Sequence, residues 1–181
     1  MSQRASGYDR RPNEEYFTPI WVAAPIAHYL RCERLTDVWE PAAGNGSLVE
    51  ALGLEGFCVA PSLDDFFTYR RPPRDGLDAI VTNPPYGAGR RGESACAFIR
   101  HALSMRHIRV VAMLLRIDFD SAKTRVGLFR DSEHFAGKIV LLNRIKWFPG
   151  ASGPSDNHAW FIWNRMAAGR PPWIAYAERA S

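Results

Sequence analysis

No apolar run in this 181-residue sequence approaches the roughly 20 residues a helix needs to cross a bilayer, so no membrane association is expected. The N-terminal stretch MSQRASGYDRRPNEEY lacks an apolar segment, and no secretory signal is predicted from it. Cysteine is scarce. Cys32, Cys58 and Cys96 stand far apart, without a CxxC pair or metal-ligand spacing. That pattern predicts a reduced, cytoplasmic protein with no disulfide framework and no metal. His101, His107, His134 and His158 also lack ligand spacing and receive no role. There is no internal repeat, no low-complexity segment and no break in composition. One domain over residues 15–181 is expected, behind a flexible arm at 1–14, with no separate target-recognition domain.

Hydrophobic residues make up 46% of the chain, enough for a packed core. The net charge of +4 permits an anionic partner without requiring one. The arginines are clustered: Arg10–Arg11, Arg70–Arg71 with Arg74, and Arg90–Arg91. The set around Pro72–Pro73 reads as a surface loop. Arg90 and Arg91 either track phosphates or sit in a solvated loop.

Thr18 can cap a helix that begins at Pro19, with Val22, Ile26, Tyr29 and Leu30 on one face and a kink at Pro25. DVWEP (Asp37–Pro41) reads as a strand, followed by a glycine turn and a helix carrying Leu48, Ala51 and Leu52. Further strands are predicted over 56–60, 77–83, 109–115, 138–145 and 158–164, with helices over 93–107 and 121–135, the latter interrupted at Gly127. The proline-broken tail has room for one edge strand. Trp160 and Trp163 lie in an apolar strand and are expected in the core. Alternating strands and helices predict an open, doubly wound, mostly parallel α/β sheet.

In EPAAGNG (Glu40–Gly46), Gly44 and Gly46 fit the first two positions of a GxGxxG dinucleotide loop, but Val49 occupies the third. A pyrophosphate is therefore disfavoured. The helix N-terminus behind the turn suits an anion, and Glu40 at the strand end suits an ammonium. S-adenosylmethionine carries both a carboxylate and an ammonium. The alternative is an ordinary strand-to-helix turn.

NPPY (Asn83–Tyr86) follows the 77–83 strand and so lies at the carboxyl edge of the sheet. Asn83 offers a side-chain carbonyl, and Pro84 a backbone carbonyl with no N–H. Two fixed acceptors can hold an –NH₂ group, and Tyr86 offers a face for ring stacking. Accepting both hydrogens of an aromatic amine frees its lone pair for methyl transfer, with alignment and dipoles supplied by the protein. A base inside a duplex must first be flipped out. The alternative is a plain turn. Trp147, Phe148 and the loop 149–157 lie at the same edge, where a lip over the base would stand. Asp118 and Asp120 either touch substrate or cap the next helix.

With YFTP (Tyr16–Pro19), EPAAGNG and NPPY in that order, the chain resembles the adenine-N6 DNA methyltransferases with a gamma-like motif order, of the small phage- and prophage-associated type. The resemblance runs from Tyr16 to Asn164. It implies a class I methyltransferase fold, S-adenosylmethionine as cofactor and adenine in DNA as acceptor. It implies Tyr16, Thr18, Pro19, Glu40, Pro41, Ala42, Gly44, Gly46 and Asn83 around the methionine end of the cofactor. Asp65 and Phe66 would take its adenine end. Asn83, Pro84, Pro85 and Tyr86 would be catalytic, with Tyr86, Arg90 and Arg91 on the substrate. The family has a helix and a strand between the ribose-binding acid and the DF element. Here CVAPSLDDFF leaves no room for them, so Asp64 takes the acid's place or the ribose contact is missing. With no separate target-recognition domain expected, sequence specificity is low, or comes from loops or a partner protein. RNA adenine, a protein glutamine, or no reaction at all in a degenerate remnant are the rival readings.

Overall fold

The computed structural model describes residues 18–85, 93–147 and 156–179. The expected arm, Tyr16, Tyr86, Arg90, Arg91, Phe148 and most of the 149–157 loop lie outside the described residues. Seven strands form one sheet: β1 (Asp37–Glu40), β2 (Cys58–Pro61), β3 (Ala79–Thr82), β4 (Val110–Arg116), β5 (Phe135–Leu141), β6 (His158–Asn164) and β7 (Trp173–Ala177). Their order is β2-β1-β3-β4-β6-β5-β7, and only β6 runs antiparallel to its neighbours. This is the predicted mostly parallel α/β sheet. From β1 the chain moves outward to β2, then returns to β3 on the other side of β1. Open α/β sheets take their ligands in the crevice at such a reversal, here the carboxyl edge between Glu40 and Thr82.

Helices α1 (Ala23–Cys32) and α2 (Ser47–Leu54) cover one face, where Ile26, Leu30, Leu48 and Leu52 meet Val38, Val81, Ala112 and Trp160. Helix α3 (Glu93–Ser104) covers the other, with Ile99 against Ile80, Val111 and Met113. Burial on both sides explains why β3 and β4 read as unbroken apolar runs. Trp160 and Trp163 are in the core as expected, and each indole N–H is satisfied, by the Val22 carbonyl at 2.9 Å and the Leu128 carbonyl at 2.7 Å.

Four local expectations are corrected. Thr18 does not cap a helix: Pro19 is extended, a 3-10 turn spans Ile20–Val22, and the α-helix starts at Ala23. Pro25 therefore falls in the first turn, where its missing N–H costs nothing, and no kink is needed there. No α-helix forms over 121–135. Short 3-10 turns (Phe119–Ser121 and Lys123–Leu128) carry Phe119, Leu128 and Phe129 onto the sheet, at a spacing that no α-helical face matches. The last part of the 138–145 prediction is loop, because β5 ends at Leu141. Between β2 and β3 the chain forms only a 3-10 turn, Phe66–Thr68, so the shortening seen in the sequence is real and β2 is an edge strand.

At Gly137 the bulged start of β5 lies against β7. Its φ is +153°, and a Cβ there would meet the Trp173 backbone carbonyl and lie 2.7 Å from the Trp173 ring. Gly127 has open space around it and no such backbone angle. Gly137→Ala should lower stability by roughly 3 kcal/mol, whereas Gly127→Ala should change it by less than about 1 kcal/mol. Urea unfolding of both variants checks the contrast, which vanishes if the β5–β7 contact is absent.

Candidate active site

The crevice between β1 and β3 is built from strand ends. Glu40, the last residue of β1, is 1% exposed. Its carboxylate accepts the Ala42 N–H at 2.8 Å. Among the described residues no lysine, arginine or histidine forms an ion pair with it. Burial pushes its pKa from the ordinary 4.5 to about 8, against the opposing pull of the Thr82 hydroxyl and the Ala42 and Asn83 amides. The turn that follows places Gly44 at φ +52° and Gly46 at φ +83°, the left-handed region that glycine alone enters cheaply. Gly46 then opens α2, with nothing within 4 Å of where its Cβ would stand.

Across the crevice, Asn83 leaves the end of β3 half-buried, followed by buried Pro84 and exposed Pro85. The Asn83 Nδ2 donates to the Thr18 hydroxyl at 3.4 Å. Its Oδ1 is buried and has no partner, and neither has the Thr82 hydroxyl a well-formed bond, although it lies close enough to Glu40 to lower its pKa. Thr18 is itself buried. Its place follows from the core, because the Trp160–Val22 hydrogen bond holds the 3-10 turn against β6. Packing of an indole thus sets which way the Asn83 amide faces.

This edge therefore presents a carboxyl, a hydroxyl and an amide oxygen, and the Asn83 Oδ1, which can only accept, has no donor. Buried polar atoms are normally paired, so this set fits a ligand rich in N–H groups. An ammonium beside Glu40 and an amine beside Asn83 would each complete it.

Other residues singled out in the sequence stand elsewhere. Pro41 and Ala42 line the turn beside Glu40. Ser62, not an acid, follows β2, and its hydroxyl accepts the Trp39 indole N–H at 2.9 Å. Asp64 is exposed on the loop beyond. Asp65 caps the 3-10 turn by accepting the Phe67 N–H at 3.1 Å. Phe66 is 2% exposed and stacked on Phe98 with ring centroids 4.7 Å apart, so its ring is committed to the core. Arg74 pairs with Asp37 at 2.8 Å, as a surface loop residue. Asp120 pairs with Lys138 at 2.6 Å, and Asp118 with Arg116 at 3.3 Å. Trp147 is buried rather than forming a lip, edge-on to His158 at 5.1 Å. A cavity of about 880 Å³, lined by Val126, Phe129, Phe135 and Arg170 among others, lies apart from the crevice, against β5 and the turn before β7.

His158 received no role from sequence. It opens β6 opposite Arg116, which brings it to the same edge as Asn83, buried and with Nδ1 unpartnered. Burial lowers its pKa to about 4, so it is neutral at physiological pH. Only the pairing register of β6 against β4 reveals this; spacing along the chain gives no signal.

No family model and no curated protein matches the sequence. Solved structures do match in backbone. A Pyrococcus horikoshii protein assigned as an RNA methyltransferase aligns at TM-score 0.64 and 15% identity, over 86% of this chain and 90% of its own. A Listeria monocytogenes protein assigned to the class I S-adenosylmethionine-dependent methyltransferases aligns at 0.59 and 15% identity, over 91% of this chain and 66% of its own. The M protein of the type I restriction enzyme EcoKI aligns at 0.53 and 14% identity, over 91% of this chain and 48% of its own. The chain thus spans about two thirds of the Listeria protein and about half of the EcoKI subunit. These likenesses show the fold, that of the class I S-adenosylmethionine-dependent methyltransferases.

A carboxyl with a raised folded pKa favours folding when protonated. Glu40's contribution is fully present below about pH 4.5 and is lost as pH rises through 4.5 to 8. Ligand-free protein should lose stability over that window on this account, on the order of 4 kcal/mol, and Glu40→Gln should flatten the loss. His158 works in the opposite sense, destabilising as pH falls from 6.5 toward 4. Chemical denaturation at pH 6 to 9 checks the Glu40 limb; identical slopes in parent and variant would contradict it.

Proposed function

We propose that the protein is an S-adenosylmethionine-dependent methyltransferase acting on the exocyclic N6 amine of adenine in DNA. The observation that carries the reading is the buried, unpartnered Oδ1 of Asn83 on the strand end next to buried Glu40, which has no ion-pair partner among the described residues. Their setting in a class I methyltransferase fold, beside the Gly44–Gly46 turn, supports it. The order of YFTP, EPAAGNG and NPPY favours adenine in DNA. The M protein of a DNA restriction enzyme among the structural neighbours is consistent with a nucleic-acid acceptor.

The cofactor supplies an electrophilic methyl group on a sulfonium centre. Glu40, ionised by the arriving charge, would hold the methionine ammonium, and the N–H groups at the start of α2 its carboxylate. Thr18 and Pro19 would close the same end. The Asn83 Oδ1 and the Pro84 carbonyl would accept the two amine hydrogens of the base, freeing the nitrogen lone pair from the ring. Thr18 acts through Asn83: by accepting from Nδ2 it leaves Oδ1 as the atom presented to substrate. Tyr86 would stack on the base, and Arg90 and Arg91 would meet phosphates of the flipped strand. Asp64 or Asp65 would serve the nucleoside end, with the exposed Phe67 beside them rather than the buried Phe66. A specificity-supplying protein partner belongs to the same reading.

A second reading, a remnant that no longer methylates, draws on one observation: the connection from β2 to β3 has neither helix nor strand. The two separate in one assay. Labelled methyl transfer to DNA, RNA and protein should proceed on DNA. Asn83→Ala should lose at least about 100-fold in rate. Thr18→Val should lose about tenfold while Thr18→Ser stays near the parent. Transfer by Asn83→Ala at the parent rate contradicts the assigned role, and failure to bind cofactor with the fold intact favours the remnant.

A further inference from the structure

The sheet has two edges, and only one of them is defended. At β2 the strand is four residues long and ends on Pro61, and the Arg74 side chain passes Cys58 at 3.2 Å to reach Asp37 at 2.8 Å. Proline and a charged side chain at an edge discourage a further strand from adding there. At the opposite edge, β7 reads WIAYA, with no charge, proline or bulge inside it. Among the described residues β7 pairs with β5 alone.

The ladder shows which groups face outward. The Leu142 N–H donates to the Ala177 carbonyl at 2.9 Å, so Trp173, Ala175 and Ala177 turn their backbone groups toward β5. Alternation then points the N–H and C=O of Ile174 and Tyr176 away from the sheet. The same two residues have exposed side chains, at 59% and 67%, while Trp173, Ala175 and Ala177 pack on the α1–α2 side.

We propose that β7 pairs antiparallel with β7 of a second copy, about a two-fold axis at Ala175. In that register Ile174 of each copy faces Tyr176 of the other. Both turn their backbone groups outward, so each pair exchanges both of its hydrogen bonds. A β-branched side chain then lies against an aromatic one across the strands, a favourable pairing. The same register sets Trp173 of each copy across from Ala177 of the other, so all five residues of the strand are paired. The interface is isologous, as closed dimers require. It lies well away from the β1–β3 crevice, so it stands whatever that crevice does.

Sedimentation velocity on the purified full chain at tens of micromolar tests this. The parent should run as a dimer. Ile174→Pro removes one outward N–H and leaves the β5 ladder intact, and should give a folded monomer. Tyr176→Glu should weaken the dimer by about tenfold or more, and adding Ile174→Lys, directly opposite it across the axis, should restore most of the loss. Should Ile174→Pro fail to fold, this charge pair decides alone. A monomeric parent, or a dimer indifferent to Tyr176→Glu, overturns the proposal.

Discussion

A carboxyl group held out of water is costly to ionise, and Glu40, with no cation beside it among the described residues, is in that position. It ends β1, and it is held between the Ala42 amide and the start of the segment that leaves β3. The chemistry that suits this position is a donor that arrives from outside.

Much of the scaffold serves to keep that crevice fixed. The chain reverses direction across the sheet between β2 and β3, which sets the crevice at the carboxyl edge. Gly44 and Gly46 bend the chain sharply enough to start α2 at once. On the other wall, a buried indole in β6 bonds to the 3-10 turn before α1. Thr18 stands two residues before that turn and accepts from the Asn83 amide. Precision at the rim thus comes from tryptophan packing two strands away rather than from the rim itself. Where the scaffold is reduced, beyond β2, aromatic packing takes over: Trp39, Phe66, Phe98 and Tyr69 fill the space left by the missing elements.

How much of this the sequence disclosed follows from the range of the forces involved. β6 was legible to the residue and β3 nearly so, because a strand buried on both faces leaves a run of apolar side chains that nothing else produces. The places of Glu40 and Asn83 at strand ends, and of Gly44 and Gly46 in the turn, were legible because turn chemistry is local. The segment 121–135 misled because its apolar residues answer to an aromatic cluster on the sheet, not to a helical period. Trp147 read as an exposed lip and is buried, and His158 read as nothing and sits at the rim. Both depend on which strand lies next to which, and a single sequence does not carry that information. Phe66 shows the same limit: its neighbour Asp65 caps a turn as a local rule would have it, while the ring itself is taken up by α3.

Calorimetric titration with S-adenosylmethionine at pH 7, repeated in buffers of different ionisation enthalpy, counts the protons that binding displaces. If an ammonium docks on Glu40, that group must ionise, and about one proton should be released by the parent and about none by Glu40→Gln. Binding of equal strength with no proton released by either protein would mean that the buried carboxyl has another purpose.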